Sequence, residues 1–436
     1  MERIITRRSY LVAAGAASTP WIAGCASDLP EATVNAPDTV RFDEPFTVTI
    51  DDLDAGDRVT VRVSTTHTEQ NTWSAEATYE ATDGHVDLDD DDDAIEGIEG
   101  DTMALIQSMS PESSYREDYR TPTEESLTIE TTVRGETVGS KTITRTRDDP
   151  EGTTHDLPDG LAGIAYEPPG NDPAPGVVVL PWWGEDPSGL AAAFAGNGFF
   201  AVGLRYYSHK KEGERWLKHV PVETVGRAAE WLLAQDRVSG SAVGAIGLSK
   251  GGELALLSGA MLSTVGAVVS VNGSGVVWDG AALDDEQVSP WSVDDEPVAY
   301  VPTTAAPIGG NGTAPRDGFA DAFEAADEET VEEATIPVED VGGEVLLVSG
   351  EDDLHWNSRA YSEIAADRLT DHEHTSEFDH LVFEGAGHNI RYPYLPTGNR
   401  NLMMGYEYGG TPEGHAEAER TYWPAALETL ESVAEE

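Results

Sequence analysis

The 436-residue chain has a single cysteine, Cys25, so no disulfide can form within it. It has only five lysines (Lys141, Lys210, Lys211, Lys218 and Lys250) and 26 basic residues in all, against 81 acidic ones, for a formal net charge of −55. Such an acid excess excludes nucleic acid as a partner, because phosphate binding requires clustered Lys and Arg. No stretch approaches the ~18 consecutive apolar residues of a membrane span. What remains is core-forming: 39% hydrophobic and 8% aromatic residues rule out a disordered acidic tail. The length implies two or three domains. An acid-rich, lysine-poor surface on such a chain is suited to molar salt, where the Debye length falls to about 3 Å and self-repulsion is screened.

Residues 1–25 do not share this charge. They hold one acid, Glu2, and three arginines, Arg3, Arg7 and Arg8, so the segment is +2 on a −57 body. Thr6-Arg7-Arg8-Ser9-Tyr10-Leu11 has the twin-arginine form, and Leu11 to Ile22 is a short, mildly apolar run of signal type. It ends in Ile22-Ala23-Gly24-Cys25, the form of a lipobox whose cysteine is acylated. The expectation is export by the twin-arginine route and lipid anchoring through Cys25 at the outer face of the cell membrane. Without a working signal the protein would be cytoplasmic.

Residues 26–40 are polar and contain proline, as a tether would. From 33 to 147 the pattern is β: Phe46–Ile50, Arg58–Val63, Ala75–Tyr79 and Leu127–Val133 alternate apolar and polar residues between Gly and Asp turns, which predicts a β-sandwich. Five consecutive aspartates, Asp89 to Asp93, lack the spaced ligands and glycine of a calcium loop and are expected to be a solvated loop. From residue 152 the pattern changes. Val177–Leu180, Phe199–Leu204, Val243–Leu248, Ala267–Val271, Val345–Val348 and His380–Phe383 are continuous apolar strands. Helical stretches, 222–235, 251–261 and 358–369 among them, fall between them, which predicts a mostly parallel sheet covered on both faces through residue 436. Residues 275–340 break the rhythm and are expected to be an insertion at the sheet's carboxyl edge, in the position of a lid.

One motif carries chemistry. Gly247-Leu248-Ser249-Lys250-Gly251 is Gly-x-Ser-x-Gly, directly after an apolar strand and before a helix. In that setting the serine sits on a sharp turn with its hydroxyl exposed. A serine nucleophile needs a histidine base and an orienting carboxylate, in the chain order Ser, acid, His. The acid candidate is Asp353, with Asp352 as competitor; the base candidate is His388, in the turn Gly385-Ala386-Gly387-His388. His355 falls either in the site or on the surface. His372 and His374 belong to a polar loop, and no metal or cofactor is required. The oxyanion donors expected are the backbone N–H groups of Lys250 and of Trp182 or Trp183, in Pro181-Trp182-Trp183-Gly184. Arg205, Lys210 and Lys211 stand in a local +3 stretch, Arg205 to Lys218, placed to receive an anionic substrate group.

The segments Gly247–Leu254, Val269–Ser274, Ala201–Tyr207, Gly350–Ser358, Gly385–His388 with Tyr392–Pro396, and Gly409–His415 together resemble the acyl-CoA thioesterase and bile acid-CoA:amino acid N-acyltransferase family. Met103 to Pro111 is similar to that family's N-terminal, immunoglobulin-like domain. The resemblance spans nearly all of residues 30–436 and implies an α/β-hydrolase domain behind an immunoglobulin-like sandwich. It implies Ser249 as nucleophile, Asp353 as orienting acid and His388 as base. In that family serine at the nucleophile position goes with hydrolysis and cysteine with acyl transfer, so hydrolysis of small-molecule acyl thioesters is expected. Two features depart from the family: Pro-Trp-Trp-Gly replaces a glycine-rich oxyanion loop, and an export signal precedes a domain whose relatives act on intracellular acyl-CoA. An exported carboxylesterase or dienelactone-type hydrolase is the alternative.

Overall fold

The computed structural model describes residues 29–434 apart from 69–70, 91–93, 97–99, 114–117, 150, 183, 212–213, 281–286, 304–314 and 404–405. The signal-like segment with Cys25, and the last three residues of the aspartate run, therefore lie outside the described residues.

Two β-sheets form the N-terminal sandwich. The smaller pairs Thr49–Asp51 with Thr33–Asn35 and Val86–Asp87. The larger runs in the order Thr39–Arg41, Glu136–Thr146, Glu124–Val133, Arg58–Thr68, Asn71–Glu80, with Ala94–Glu96 and Ser110–Pro111 both on the last strand. Alternation dictates which side is buried: Val59, Val61, Val63, Leu127, Ile129 and Val133 face inward. Each anticipated strand is present, although Phe46–Ile50 contributes only from Thr49. The tether is shorter than expected. Ala32 already donates to the Val138 carbonyl at 2.9 Å, and strands at 33–35 and 39–41 belong to the sandwich. The long strand Glu136–Thr146 carries few buried apolar residues, Val138 and Ile143 among them, so its alternation is faint in the sequence.

The chain then enters the eight-stranded sheet of the second domain at β1 (Thr153–His155), followed by β2 (Gly163–Glu167), β3 (Ala174–Leu180), β4 (Phe200–Leu204), β5 (Val238–Leu248), β6 (Val265–Val271), β7 (Val345–Gly350) and β8 (Phe378–Phe383). Their spatial order is β1-β2-β4-β3-β5-β6-β7-β8; β2 is antiparallel to both neighbours, and β3 to β8 are parallel. Parallel strands buried on both faces need the continuous Val/Ile/Leu runs seen in the sequence. Helices 188–196 and 412–431 cover one face; helices 223–233 and 250–261 cover the other. The helix Pro412–Glu431 escapes the sequence reading because its buried residues, His415, Glu419 and Tyr422 among them, are not uniformly apolar.

One apolar core runs from the sandwich, through Tyr119 and Ile129, to Phe194, Tyr392 and Trp423 and on to Val177 and Val179 of the sheet. The two domains thus share a core. The insertion leaves at the carboxyl end of β6 and rejoins the sheet at the amino end of β7. It contains helices Pro315–Ala325 and Glu328–Ala334 and packs Val276, Trp278 and Ala322 against Trp356 and Tyr361.

Candidate active site

Parallel α/β sheets place ligand sites at the carboxyl ends of their strands, where side chains from separate loops converge. Ser249 directly follows β5 and opens the helix Lys250–Met261 with φ 55° and ψ −120°. Holding a non-glycine residue there costs on the order of 1–3 kcal/mol. The flanking glycines make the turn possible. A Cβ on Gly247 would sit 1.9 Å from the Gly251 carbonyl oxygen, and one on Gly251 would sit 2.2 Å from that of Leu180. This is why the motif is spaced as it is.

The expected acid and base meet this serine. His388 Nε2 lies 2.8 Å from Ser249 Oγ, and its Nδ1 lies 2.7 Å from Asp353 Oδ2. Ser249, His388 and Asp353 are nearly enclosed, at 7%, 2% and 1% exposure. Asp353 Oδ1 accepts the backbone N–H groups of His355 (2.8 Å) and Trp356 (3.2 Å). Those donors fix which oxygen faces His388. Asp352, the competitor, is exposed, and among the described residues its carboxylate accepts from Gly385 N alone, at 3.1 Å. Proton transfer from Ser249 Oγ to His388 Nε2 is therefore geometrically available, with Asp353 placed to stabilise the imidazolium.

Beside the serine, Lys250 is the first helical residue, and its N–H has no acceptor among the described residues, as the first turn of a helix requires. The Trp182 N–H likewise has none among them. The loop carrying Trp182 is held by the Tyr206 hydroxyl, which donates to the Pro181 carbonyl at 2.8 Å, and by that of Tyr207, which donates to Glu185 O at 2.8 Å. The Trp182 ring packs against His388, with centroids 6.0 Å apart, and beneath the Arg391 guanidinium. Trp183 lies outside the described residues.

The Lys250 side chain does other work. Its Nζ reaches Glu253 Oε1 (2.9 Å) and the Trp278 carbonyl (2.8 Å). Fully buried Glu253 also accepts from Trp278 N at 3.2 Å and Trp291 Nε1 at 2.7 Å, which ties the insertion to the serine-bearing helix. Burial raises the Glu253 carboxyl pKa, and Lys250 opposes that shift.

His355 stands in the site. Its ring is 4.5 Å from that of His388 and stacks on Tyr408 at 4.9 Å. Burial, and then His388, lower its pKa well below the usual imidazole value, so it stays neutral beside the base. Asn272, φ 46°, is a hub that the sequence did not single out. Its amide donates to the His388 carbonyl at 2.9 Å, while its Oδ1 accepts from Gly350 N at 2.8 Å, joining the ends of β6 and β7 to the histidine turn. Only its place after an apolar strand hinted at this. The Gly409–His415 motif backs the same region: Gly409 bridges to Asp353, Gly410 to Ala386, and buried His415, pushed down to about 3 by burial, faces the Gly409 carbonyl.

The basic stretch is less concentrated. Arg205 pairs with Asp186 at 3.4 Å and lines a cavity of about 300 Å³ with Arg147, Tyr166 and Ser188. Lys210 and Lys211 lie in the hairpin Ser208–Lys211/Glu214–Trp216, which follows the carboxyl end of β4. His374 faces the Gly343 carbonyl, and no group of metal-binding side chains occurs among the described residues.

Strand order, Gly-x-Ser-x-Gly turn and converging Ser, His and Asp define an α/β-hydrolase. Two family models match, one described as BAAT / acyl-CoA thioester hydrolase C terminal over residues 220–433, the other as acyl-CoA thioester hydrolase/BAAT N-terminal region over 43–155. The chain belongs to this family of thioester-hydrolysing enzymes. Human acyl-coenzyme A thioesterase 1 is 28% identical over 414 residues, covering 88% of this chain and 91% of its own. The mouse peroxisomal succinyl-coenzyme A thioesterase is 26% identical over 431 residues, covering 91% and 95%. Among solved structures, a dienelactone hydrolase-like phosphotriesterase from metagenomic libraries is 17% identical, covers 65% of this chain and 99% of its own, and has a TM-score of 0.40.

Proposed function

We propose that this protein is an acyl-CoA thioesterase that works through an acyl-enzyme on Ser249. His388 takes the Ser249 proton as Oγ attacks the thioester carbonyl, and the oxyanion is received by the N–H groups of Lys250 and Trp182. Collapse breaks the C–S bond, and the thiolate leaves with the proton from His388. Water, deprotonated by His388, then releases the fatty acid. The unbroken Ser249–His388–Asp353 hydrogen-bond chain carries this reading. CoA itself is supported by the relatives' substrates and by the basic stretch that follows β4. The signal-like N-terminus favours a second reading, an exported carboxylesterase on non-CoA esters. Rates on acyl-CoAs and on neutral p-nitrophenyl esters, compared at molar salt, separate the two: the proposal requires the higher kcat/KM on the thioester.

Reversing Lys210 and Lys211 to glutamate sharpens the comparison. KM for acyl-CoA is expected to rise about 5-fold, with the neutral ester unaffected, measured at the lowest salt that keeps the protein folded. Equal effects on both substrates would remove these lysines from the CoA site. For the N-terminus, the reading is twin-arginine export and acylation at Cys25, on a surface adapted to high salt. Cell fractionation is expected to place the wild-type protein with membranes and Cys25→Ser in the soluble fraction. Equal partition of the two would sink the anchor.

A further inference from the structure

The thirteen residues after His388 run along the domain boundary. Tyr392 donates its hydroxyl to Thr121 Oγ1 at 3.0 Å. The Tyr394 carbonyl accepts from buried Arg145 at 2.7 Å. Thr397 N donates to the Gln107 carbonyl at 2.7 Å. Every one of these partners belongs to the sandwich. The histidine-bearing segment is thus moulded by a domain that contributes none of the three reacting side chains.

One sandwich residue reaches deeper than the rest. Asp118 is 6% exposed, and its carboxylate meets three groups of this segment: Arg400 Nη1 at 3.0 Å, Arg391 Nη2 at 3.2 Å and Asn389 Nδ2 at 3.3 Å. Asn389 is the residue next to His388. Arg391 continues the line. Its other terminal nitrogen, Nη1, pairs with Glu185 at 3.2 Å, and its guanidinium lies 5.1 Å from the centroid of the Trp182 ring. Trp182 and Glu185 are the two ends of the loop that presents the Trp182 N–H. Arg391 therefore spans from the sandwich carboxylate to both ends of the oxyanion loop, while the backbone that carries it leads back to the base. Arginine suits this place because its planar fork can pair on two sides while its face covers an aromatic ring, which a lysine ammonium cannot do at once.

We propose that the N-terminal sandwich is a working part of the active site, and that Asp118 is a positioning residue which sets the oxyanion loop through Arg391 and the His388 turn through Asn389. This rests on the assignment of Ser249, His388 and the Trp182 loop made above. A rigid oxyanion donor matters because a donor shifted by about 1 Å costs on the order of 10²-fold in rate. Both halves of the reaction use that donor, so the effect belongs in kcat and not in substrate affinity. It should also be the same for thioester and ester.

The test measures kcat per titrated active site in Asp118→Asn and Arg391→Lys, with sites counted by fluorophosphonate labelling of Ser249. Both variants are expected to lose about 10- to 100-fold in kcat on acyl-CoA and on a neutral ester alike, with KM within about 3-fold of wild type. Arg391→Lys keeps a positive charge beside Asp118, so it serves if Asp118→Asn fails to fold. Arg420→Gln removes another inter-domain pair, Arg420 with Asp101, far along the C-terminal helix, and is expected to leave kcat per site unchanged. A purely structural role for Asp118 would lower the number of labelled sites but leave kcat per site within 2-fold of wild type, and that result overturns the proposal. Failure of the wild-type enzyme to label at Ser249 would instead overturn the active-site reading itself.

Discussion

Ser249→Ala should leave a folded protein with essentially no turnover, a loss of about 10⁶-fold in kcat. The Ser249 hydroxyl reaches His388 but makes no capping hydrogen bond to its own helix, so its removal takes nothing from helix Lys250–Met261. Alanine also tolerates the φ of 55° about as well as serine does, so the turn has no new strain to absorb. Loss of the nucleophile leaves His388 and the N–H groups of Lys250 and Trp182 in place. A residual rate over water is therefore expected, as is unchanged circular dichroism at molar salt. The measurement is acyl-CoA hydrolysis followed by free thiol release, with fluorophosphonate labelling alongside. Turnover within 100-fold of wild type would exclude Ser249 as nucleophile.

Asp353→Asn is the second large effect, and its sign follows from the hydrogen bonds. The oxygen Oδ1 of Asp353 is already claimed by the backbone N–H groups of His355 and Trp356, which demand an acceptor. An asparagine must keep its oxygen there, so its NH₂ group turns to His388 Nδ1. Donor facing donor is unfavourable, and the imidazole responds by moving its proton to Nε2. In that tautomer His388 cannot accept the Ser249 proton. A fall of about 10⁴-fold in kcat at neutral pH is expected, with KM changed only a few-fold. Asp352→Asn, one residue earlier in the same loop but facing Gly385 N and solvent, should be within about 2-fold of wild type. Should the two substitutions cost the same, the orienting role of Asp353 is wrong.

How far the sequence could be read differs from one residue to the next. The turn at Ser249 was legible because most of what it requires is local: a strand before, a helix after, and a glycine at 247 where a Cβ would strike the Gly251 carbonyl; the need for glycine at 251 comes from Leu180, distant in the chain. Five of the apolar strands were legible because a parallel sheet buried on both faces demands unbroken apolar runs; the sixth, edge strand β8, is only partly covered and showed itself by its short Leu381–Phe383 run. Asp353 and Asp352 are chemically alike and adjacent. Only the arrival of His388 from beyond β8 separates them, together with the two N–H groups that lock Asp353. His355 was undecided for the same reason. Its neighbours Tyr408 and His388 come from distant parts of the chain, and no periodicity in a loop reports them. The place of the Trp182 ring, between His388 and Arg391, likewise depends on partners distant in the chain.

The single-cysteine, lysine-poor composition thus determined, without any structure, that the fold must be held by packing and not by disulfides. The Gly-x-Ser-x-Gly turn and strand pattern determined an α/β-hydrolase with a serine at its reactive corner. These rest mainly on the short-range order of residue types, a glycine-flanked serine between strand and helix and unbroken apolar runs along strands. The tertiary structure alone decided which acid serves His388, that Lys250 turns its ammonium to Glu253, and that Asp118 faces Asn389 from 271 positions away. Pairings of that kind depend on how two domains dock over a shared core. A buried carboxylate finds its arginine only after the chain has closed around both, and no spacing in the sequence records where that closure brings them.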